Sequence, residues 1–322
     1  MPIIGIYADF LSEEQKQQIE AIGKPYGYAV RYFETLAEVE AGIAECEVIY
    51  GYYPASILKK AEALRWFASA SAGVDSYLSD SLYAYPQQVT LTNSAGSYGT
   101  TIAEHMLMVT LMLMRRQLEY TEITAARRWE NVGAVRSIFG SRFVIVGTGD
   151  IGTSLARRVK ALGAAHVSGV RRTLKEAAPA FDEVVTLDKL AEVLPGADVL
   201  ALCVPATQET KGLLSKEILA QMDTKTLVVN VGRGSAIDQA ALVEALNEGR
   251  IAGAALDVTT PEPLPKDDPL YTAKNVIITP HISGNMSLQY TCDVNVAMFC
   301  RNLERYCKGE ALHHTVDRRL GY

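Results

Sequence analysis

The fold class this sequence predicts is α/β: two domains on doubly wound parallel sheets, with a central cleft between them. Three observations carry the prediction. At 322 residues the chain exceeds one average domain and suits two, each large enough to bury a core. Short β-branched runs alternate with helical text in two successive series. Between them, FVIVGTGDIG at 143–152 ends a strand on a glycine turn and opens into a helix whose Ile151, Leu155, Val159 and Leu162 share one face.

That stretch fits a dinucleotide-binding turn. Gly147 makes the tight turn, Gly149 lets backbone approach a pyrophosphate, and Gly152 lets the helix pack on its strand. The phosphates then rest on the helix N-terminus, near Asp150 and Ile151. A packing turn is the plain alternative. The strand before and the helix after favour a Rossmann-like nucleotide site.

From residue 3 to about 93 the segments IIGIYA, EEQKQQIEAI, YAVRYF, AEVEAGIAEC, EVIYGYY, ASILKKAEAL, RWFASAS and QVTLTN alternate strand and helix, a small domain in its own right. A Met- and Leu-rich helix follows over about 99–116, a further helical stretch over 121–129, and a connector over 133–141. The second series has strands RFVIV, HVSGV, DEVV, DVLALC, TLVVN, AGAALDV and NVIITP, with helices at 216–222 and 239–247 and Gly249 as a stop signal. The continuous apolar runs at 199–203 and 227–231 suit a parallel sheet covered on both faces. A last helix over about 287–307 offers Tyr290, Val294, Met298 and Leu303 as an apolar stripe and is expected to return to the first domain. The domains are therefore 1–98 with 285–322, and 99–284. Ligands belong in loops at strand C-terminal ends.

A net charge of −6 and a pI near 5.5 leave no electrostatic footprint for nucleic acid or an anionic membrane. Cys46, Cys203, Cys292, Cys300 and Cys307 are odd in number, contain no C-x-x-C pair and have no His cluster nearby, so reduced thiols in a cytoplasmic protein without a metal site are expected. The start MPIIGIYADF lacks a basic region and cleavage site and reads as a strand. The apolar run at 102–114 is too short to span a bilayer.

For an NAD-type site an acidic residue is expected about twenty residues past the glycines, holding the ribose hydroxyls. Arg171 stands there instead, nineteen residues after Gly152, followed by Arg172 and Thr173. A carboxylate repels a 2′-phosphate, whereas these three side chains hold one. NADP(H) is therefore expected over NAD(H), which stays possible. The plain alternative is a solvated strand end.

Three later strand ends carry reactive side chains. In NVGRGS, Arg233 lies between Gly232 and Gly234, which permit close backbone approach to a ligand, and its planar fork suits a carboxylate. In LDVTTPEP, Asp257 ends a strand and Glu262 sits between two prolines. In TPHISG, His281 follows the strand NVIITP. Singly, each has a structural explanation: a helix cap, a solvent-facing acid, a satisfied core histidine. Together, beside a nucleotide fingerprint, they point to catalysis.

The order VGTGDIG, VPATQETKGLL, NVGRGS, LDVTTPEPLP and TPHISG resembles the D-isomer-specific 2-hydroxyacid dehydrogenase family, as do SAGVD at 71–75 and NSAGSYGTTIAEH at 93–105. The resemblance spans nearly the whole chain. It implies His281 as acid/base, Glu262 as its partner, Arg233 as substrate clamp, amides of Ala72, Gly73 and Val74 for the substrate carboxylate, and Tyr98 near its side chain. It further implies cofactor contacts at Val204, Pro205, Thr210, Val231, Gly232, Asp257 and Gly284, with Asp257 also supporting the site. Two departures stand out: the arginine pair replaces the usual acid, and Thr259 and Thr260 replace an aromatic residue and an acid before Glu262. His105, His166, His313 and His314 read as structural or surface residues.

The expected reaction is reversible reduction of a small 2-oxoacid to a D-2-hydroxyacid by NAD(P)H. As hydride reaches C2, His281 protonates the developing alkoxide, and Glu262 stabilises its imidazolium form. Two readings stay open: a dinucleotide-sensing binding protein without turnover, and a formate-type dehydrogenase, although that relative carries Gln at the position of Glu262. Residues 51–54 are expected at the far end of the substrate pocket. The Met-rich helix is either a homodimer surface or domain core.

Overall fold

The apolar runs of the sequence become parallel strands in two separate sheets. The computed structural model describes residues 1–174 and 179–321 and divides into two compact units, Met1–Tyr98 with Met286–Tyr322, and Gly99–Asn285.

The first unit holds β1 (Ile3–Tyr7), α1 (Glu13–Gly23), β2 (Ala29–Tyr32), α2 (Leu36–Gly42), β3 (Cys46–Gly51), β4 (Trp66–Ser69) and β5 (Thr90–Thr92). Its strands are parallel in the order β2-β1-β3-β4-β5. Ser12 starts α1 through a reciprocal capping box with Gln15, and the Thr35 hydroxyl caps α2. The period of two shows in β3: Ile49 packs with Phe33, Leu58 and Phe67 on one face, Val48 and Tyr50 with Ile4 and Trp66 on the other. The stretch ASILKKAEAL, expected as an α-helix, forms only a 3₁₀ segment, Ala55–Lys60.

The second unit runs α3 (Gly99–Met114), α4 (Gln117–Ala125), β6 (Arg142–Val146), α5 (Asp150–Ala161), β7 (His166–Arg171), β8 (Glu183–Thr186), α6 (Leu190–Val193), β9 (Val199–Leu202), α7 (Lys216–Leu219), β10 (Leu227–Asn230), α8 (Gln239–Asn247), β11 (Gly253–Leu256) and β12 (Val276–Ile278). Its parallel order is β12-β11-β10-β9-β6-β7-β8. Every residue of β9, β10 and β11 is buried, as their continuous apolar text requires. The order reverses between β6 and β9, and ligands of such sheets bind outside the carboxyl ends at that switch point.

Two boundaries and one buried face differ from expectation. Arg116 adopts a left-handed φ of 57°, which ends α3 and makes α4 begin at Gln117 rather than at 121. The helix at Lys216 stops at Leu219. The returning helix α9 (Gln289–Cys307) belongs to the first unit, yet it buries Cys292, Asn295, Val296, Phe299, Cys300 and Leu303. Tyr290 is exposed, and Val294 and Met298 are only partly covered. The chosen face carries Asn295, whose amide meets acceptors and donors that hydrophobic ranking does not see: it donates to Ala70 O and Ser97 Oγ and accepts from Tyr50.

Candidate active site

The glycine turn after β6 is built as its spacing requires. Gly147 has φ +98°, and a Cβ there would stand 2.5 Å from Cys203 O. A Cβ on Gly152 would meet Gly147 O at 1.9 Å, so that glycine lets α5 close on the turn. Nothing lies within 4 Å of a Cβ at Gly149, so backbone is open to an incoming group there. No side chain caps α5, whose N-terminal residues are Asp150, Ile151 and Gly152. The hydroxyl of Thr148, the residue between the first two glycines, is buried with no partner among the described residues. Open donors at a helix N-terminus plus an orphaned hydroxyl fit a pyrophosphate. Asp150 itself turns elsewhere: its carboxylate accepts the N–H of Gly99, the first residue of α3.

The neighbouring strand ends complete this half. Gly147 N donates to Val170 O, which brings Arg171 at the end of β7 beside the turn. Arg171 is half-buried, and Arg172 and Thr173 are exposed. Beyond β9, Val204 is buried and Pro205 exposed. Thr210 is buried, and its hydroxyl donates to Pro205 O, so it shapes this loop from within.

On the other side of the switch point, β10, β11 and β12 are adjacent, and each ends on one member of the predicted set. Asn230, fully buried, accepts from Gly232 N and donates to Arg233 O, thereby setting the turn of Val231, Gly232 and Arg233. The flanking glycines also let other loops close in: a Cβ on Gly232 would stand 2.5 Å from Val204 O, and one on Gly234 2.0 Å from Thr259 O. After β11, Thr259 N donates to Glu262 Oε1, and the Thr259 hydroxyl to Pro261 O; the Thr260–Pro261 and Glu262–Pro263 bonds are cis. Glu262 Oε2 lies 2.9 Å from His281 Nδ1. Both side chains keep substantial exposure, 49% for the imidazole and 38% for the carboxylate, so the pair is accessible to a reactant.

Asp257 is 2% exposed and faces the turn after β12. Its carboxylate accepts from the Thr279 hydroxyl and from Ile282 N and Ser283 N, the residue before Gly284. In the first unit, Asn93 Nδ2 donates to Ala72 O, while the N–H groups of Ala72, Gly73 and Val74 meet no backbone acceptor among the described residues. Three successive open donors suit a carboxylate. Tyr98 donates to Ala70 O and lies 3.0 Å, hydroxyl to hydroxyl, from Tyr52.

A profile of the NAD-binding domain of the D-isomer-specific 2-hydroxyacid dehydrogenases matches residues 107–283. The chain belongs to that family. The glyoxylate reductase of Korarchaeum cryptofilum is 32% identical to this dehydrogenase over 273 residues, 83% of this chain and 80% of the relative. Among solved structures, a family protein from Aeromonas salmonicida subsp. salmonicida A449 superposes with a TM-score of 0.83 at 31% identity, covering 98% of this chain and 99% of that one. A family member from Xanthobacter autotrophicus Py2, solved with NADPH and MES, gives 0.81 at 26% identity over 100% and 99% of the two chains.

The protein is thus an NAD(P)-dependent oxidoreductase of 2-oxoacids and 2-hydroxyacids. Its sequence did not single out Asn230, Thr279 or Thr148. Asn230 ends a strand and Thr279 follows one, positions that could have drawn attention, but what their side chains bond depends on the adjacent strand. No helix among the described residues is long and apolar enough to cross a membrane, and no group of three His, Cys, Asp or Glu among them suits a metal ion.

Proposed function

We propose that this dehydrogenase reduces a small 2-oxoacid to the D-2-hydroxyacid with NADPH, reversibly, with His281 as acid/base. The observation that carries the reading is the 2.9 Å contact between His281 Nδ1 and Glu262 Oε2 on a partly exposed pair. With Nδ1 held by a carboxylate, Nε2 is the nitrogen left to meet a substrate oxygen. When bound, the nucleotide supplies the hydride. Protein groups supply the rest: His281 delivers the proton to the carbonyl oxygen as C2 is reduced, and Glu262, bonded at Nδ1, orients the ring that donates it. In the second unit Arg233 takes the carboxylate and orients the carbonyl for His281; in the first unit the amides of Ala72, Gly73 and Val74 are the donors that suit a carboxylate.

Arg171, Arg172 and Thr173 support NADPH over NADH, since no carboxylate stands at the end of β7 to repel a 2′-phosphate. The remaining nucleotide contacts are assigned to Gly147, Gly149, Asp150, Ile151, Gly152, Val204, Pro205, Thr210, Val231, Gly232, Asp257 and Gly284, and the substrate side chain to the neighbourhood of Tyr98. Five free cysteines support a reducing, cytoplasmic setting. Exposed Met108 and Leu111 on α3, with the fully exposed Trp129, support a homodimer.

The test is a panel of 2-oxoacids run with NADPH and NADH, with the hand of each product determined. We expect D products and at least tenfold preference for NADPH, about 1.4 kcal/mol. Replacing His281 by Ala should lower turnover about 10²- to 10⁴-fold with nucleotide affinity unchanged. Retained turnover would reassign the proton donor, and no turnover on any oxoacid would leave a nucleotide-binding protein.

A further inference from the structure

The turn that presents His281 is wrapped around a single buried carboxylate. Asp257 receives the Thr279 hydroxyl on Oδ1 at 2.6 Å, Ile282 N on the same oxygen at 2.9 Å and Ser283 N on Oδ2 at 3.0 Å. His281 N donates to the backbone carbonyl of Asp257 at 2.9 Å. Between these bonds His281 adopts φ +53°, a left-handed conformation that a side-chain-bearing residue keeps only where its surroundings enforce it. One atom in this set has a second neighbour. Thr279 Oγ1 lies 3.4 Å from His105 Nε2.

The directions of these bonds follow from proton count. The Thr279 hydroxyl has one proton, and a carboxylate can only accept, so that proton goes to Asp257. Toward His105 the hydroxyl oxygen can then only accept, and His105 must carry its proton on Nε2. Burial holds His105 below its usual range against the opposing pull of Asp257, which keeps the ring a neutral Nε2–H donor near pH 7. His105 stands on the second turn of α3, whose first N–H is held by Asp150 of the nucleotide turn. The donor is therefore fixed on an anchored helix.

We propose that Thr279 is a positioning residue for the acid/base: by giving its proton to Asp257 and taking one from His105, it holds the left-handed turn that keeps the His281 ring on Glu262. The inference rests on the reading of His281 as acid/base and adds two residues, Thr279 and His105, that touch neither substrate nor nucleotide in that scheme.

Thr279→Val keeps the shape and removes the hydroxyl, while Thr279→Ser restores it. With Val, Asp257 loses its 2.6 Å bond from Thr279 and His105 loses its acceptor, so the turn loosens and His281 drifts from Glu262. A displacement on that scale lowers turnover about 10²-fold. The Michaelis constant for NADPH should change less than turnover, because the glycine turn after β6 is untouched. Thr279→Ser should recover most of the lost turnover. His105→Gln, which can still offer an N–H to Thr279, should stay near wild type, and His105→Phe should lose severalfold.

A second readout needs no turnover. In ¹⁵N spectra of histidine-labelled protein, the two ring nitrogens of wild-type His281 should stay distinct, with Nδ1 carrying a proton toward Glu262, and in Thr279→Val they should average. Wild-type turnover and nitrogen signals retained in Thr279→Val would overturn the proposal. So would equal losses of turnover and NADPH affinity in the Val and Ser variants, which is what a purely structural threonine predicts. A wild type inert toward all 2-oxoacids would remove the acid/base reading, while the nitrogen spectra would still decide whether Thr279 positions the ring.

Discussion

Opposing forces meet on the carboxyl group of Asp257. Burial pushes it up, and the bonds from Ser283, Thr279 and the Ile282 amide outweigh that push and hold it below the usual carboxylate range. Folding therefore favours the charged form. The stability it contributes is fully present above the unfolded value of about 3.9 and is lost as pH falls through the lower folded value. Asp257→Asn should lower the melting temperature at pH 7, and the gap to wild type should narrow as the melts are moved toward pH 3. A constant gap would mean that shape, not charge, holds the turn. Tyr53 is the opposite case. Its hydroxyl is buried with no partner among the described residues, so Tyr53→Phe should stabilise the protein by about 1 kcal/mol in urea titrations.

At the scale of elements, the loops after β10 and β11 lock together through bare backbone. Gly234→Ala would place a methyl 2.0 Å from Thr259 O, and Thr259 N holds the Glu262 carboxylate. We expect a loss of about 1–3 kcal/mol in stability and a larger proportional fall in turnover than in nucleotide affinity. Equal falls in both would place the damage at the nucleotide turn instead. Legibility at this scale was uneven. All seven strands of the second unit and the glycine turn could be read, because apolar runs and turn glycines act on their own neighbours. The buried face of α9 could not, since Asn295 is drawn inward by partners far away in sequence. Nor could the purpose of Gly232 and Gly234, whose close neighbours, Val204 O and Thr259 O, belong to other loops.

For the whole molecule, family membership supplies the reaction class, and association is the property left to surface chemistry. Exposed Met108 and Leu111 lie on α3, whose Met106, Val109 and Leu113 are buried, so one helix is part core and part free apolar surface. Sedimentation should give twice the 35.1 kDa chain mass, and Met108→Glu combined with Leu111→Lys should shift it toward a single chain. A single-chain mass for the wild type would assign that surface to something other than a second copy.

What the sequence determined by itself was whatever depends on local spacing: two α/β series, the glycine turn after β6, and the types of side chain at the ends of β10, β11 and β12. It also carried the ordered motifs that mark the family. Only the tertiary structure decided where buried polar groups find their partners. That Asp257 gathers the His281 turn depends on groups brought together from distant stretches of chain. Most buried polar groups are paired, but the chain text does not say with what until the strands have aligned.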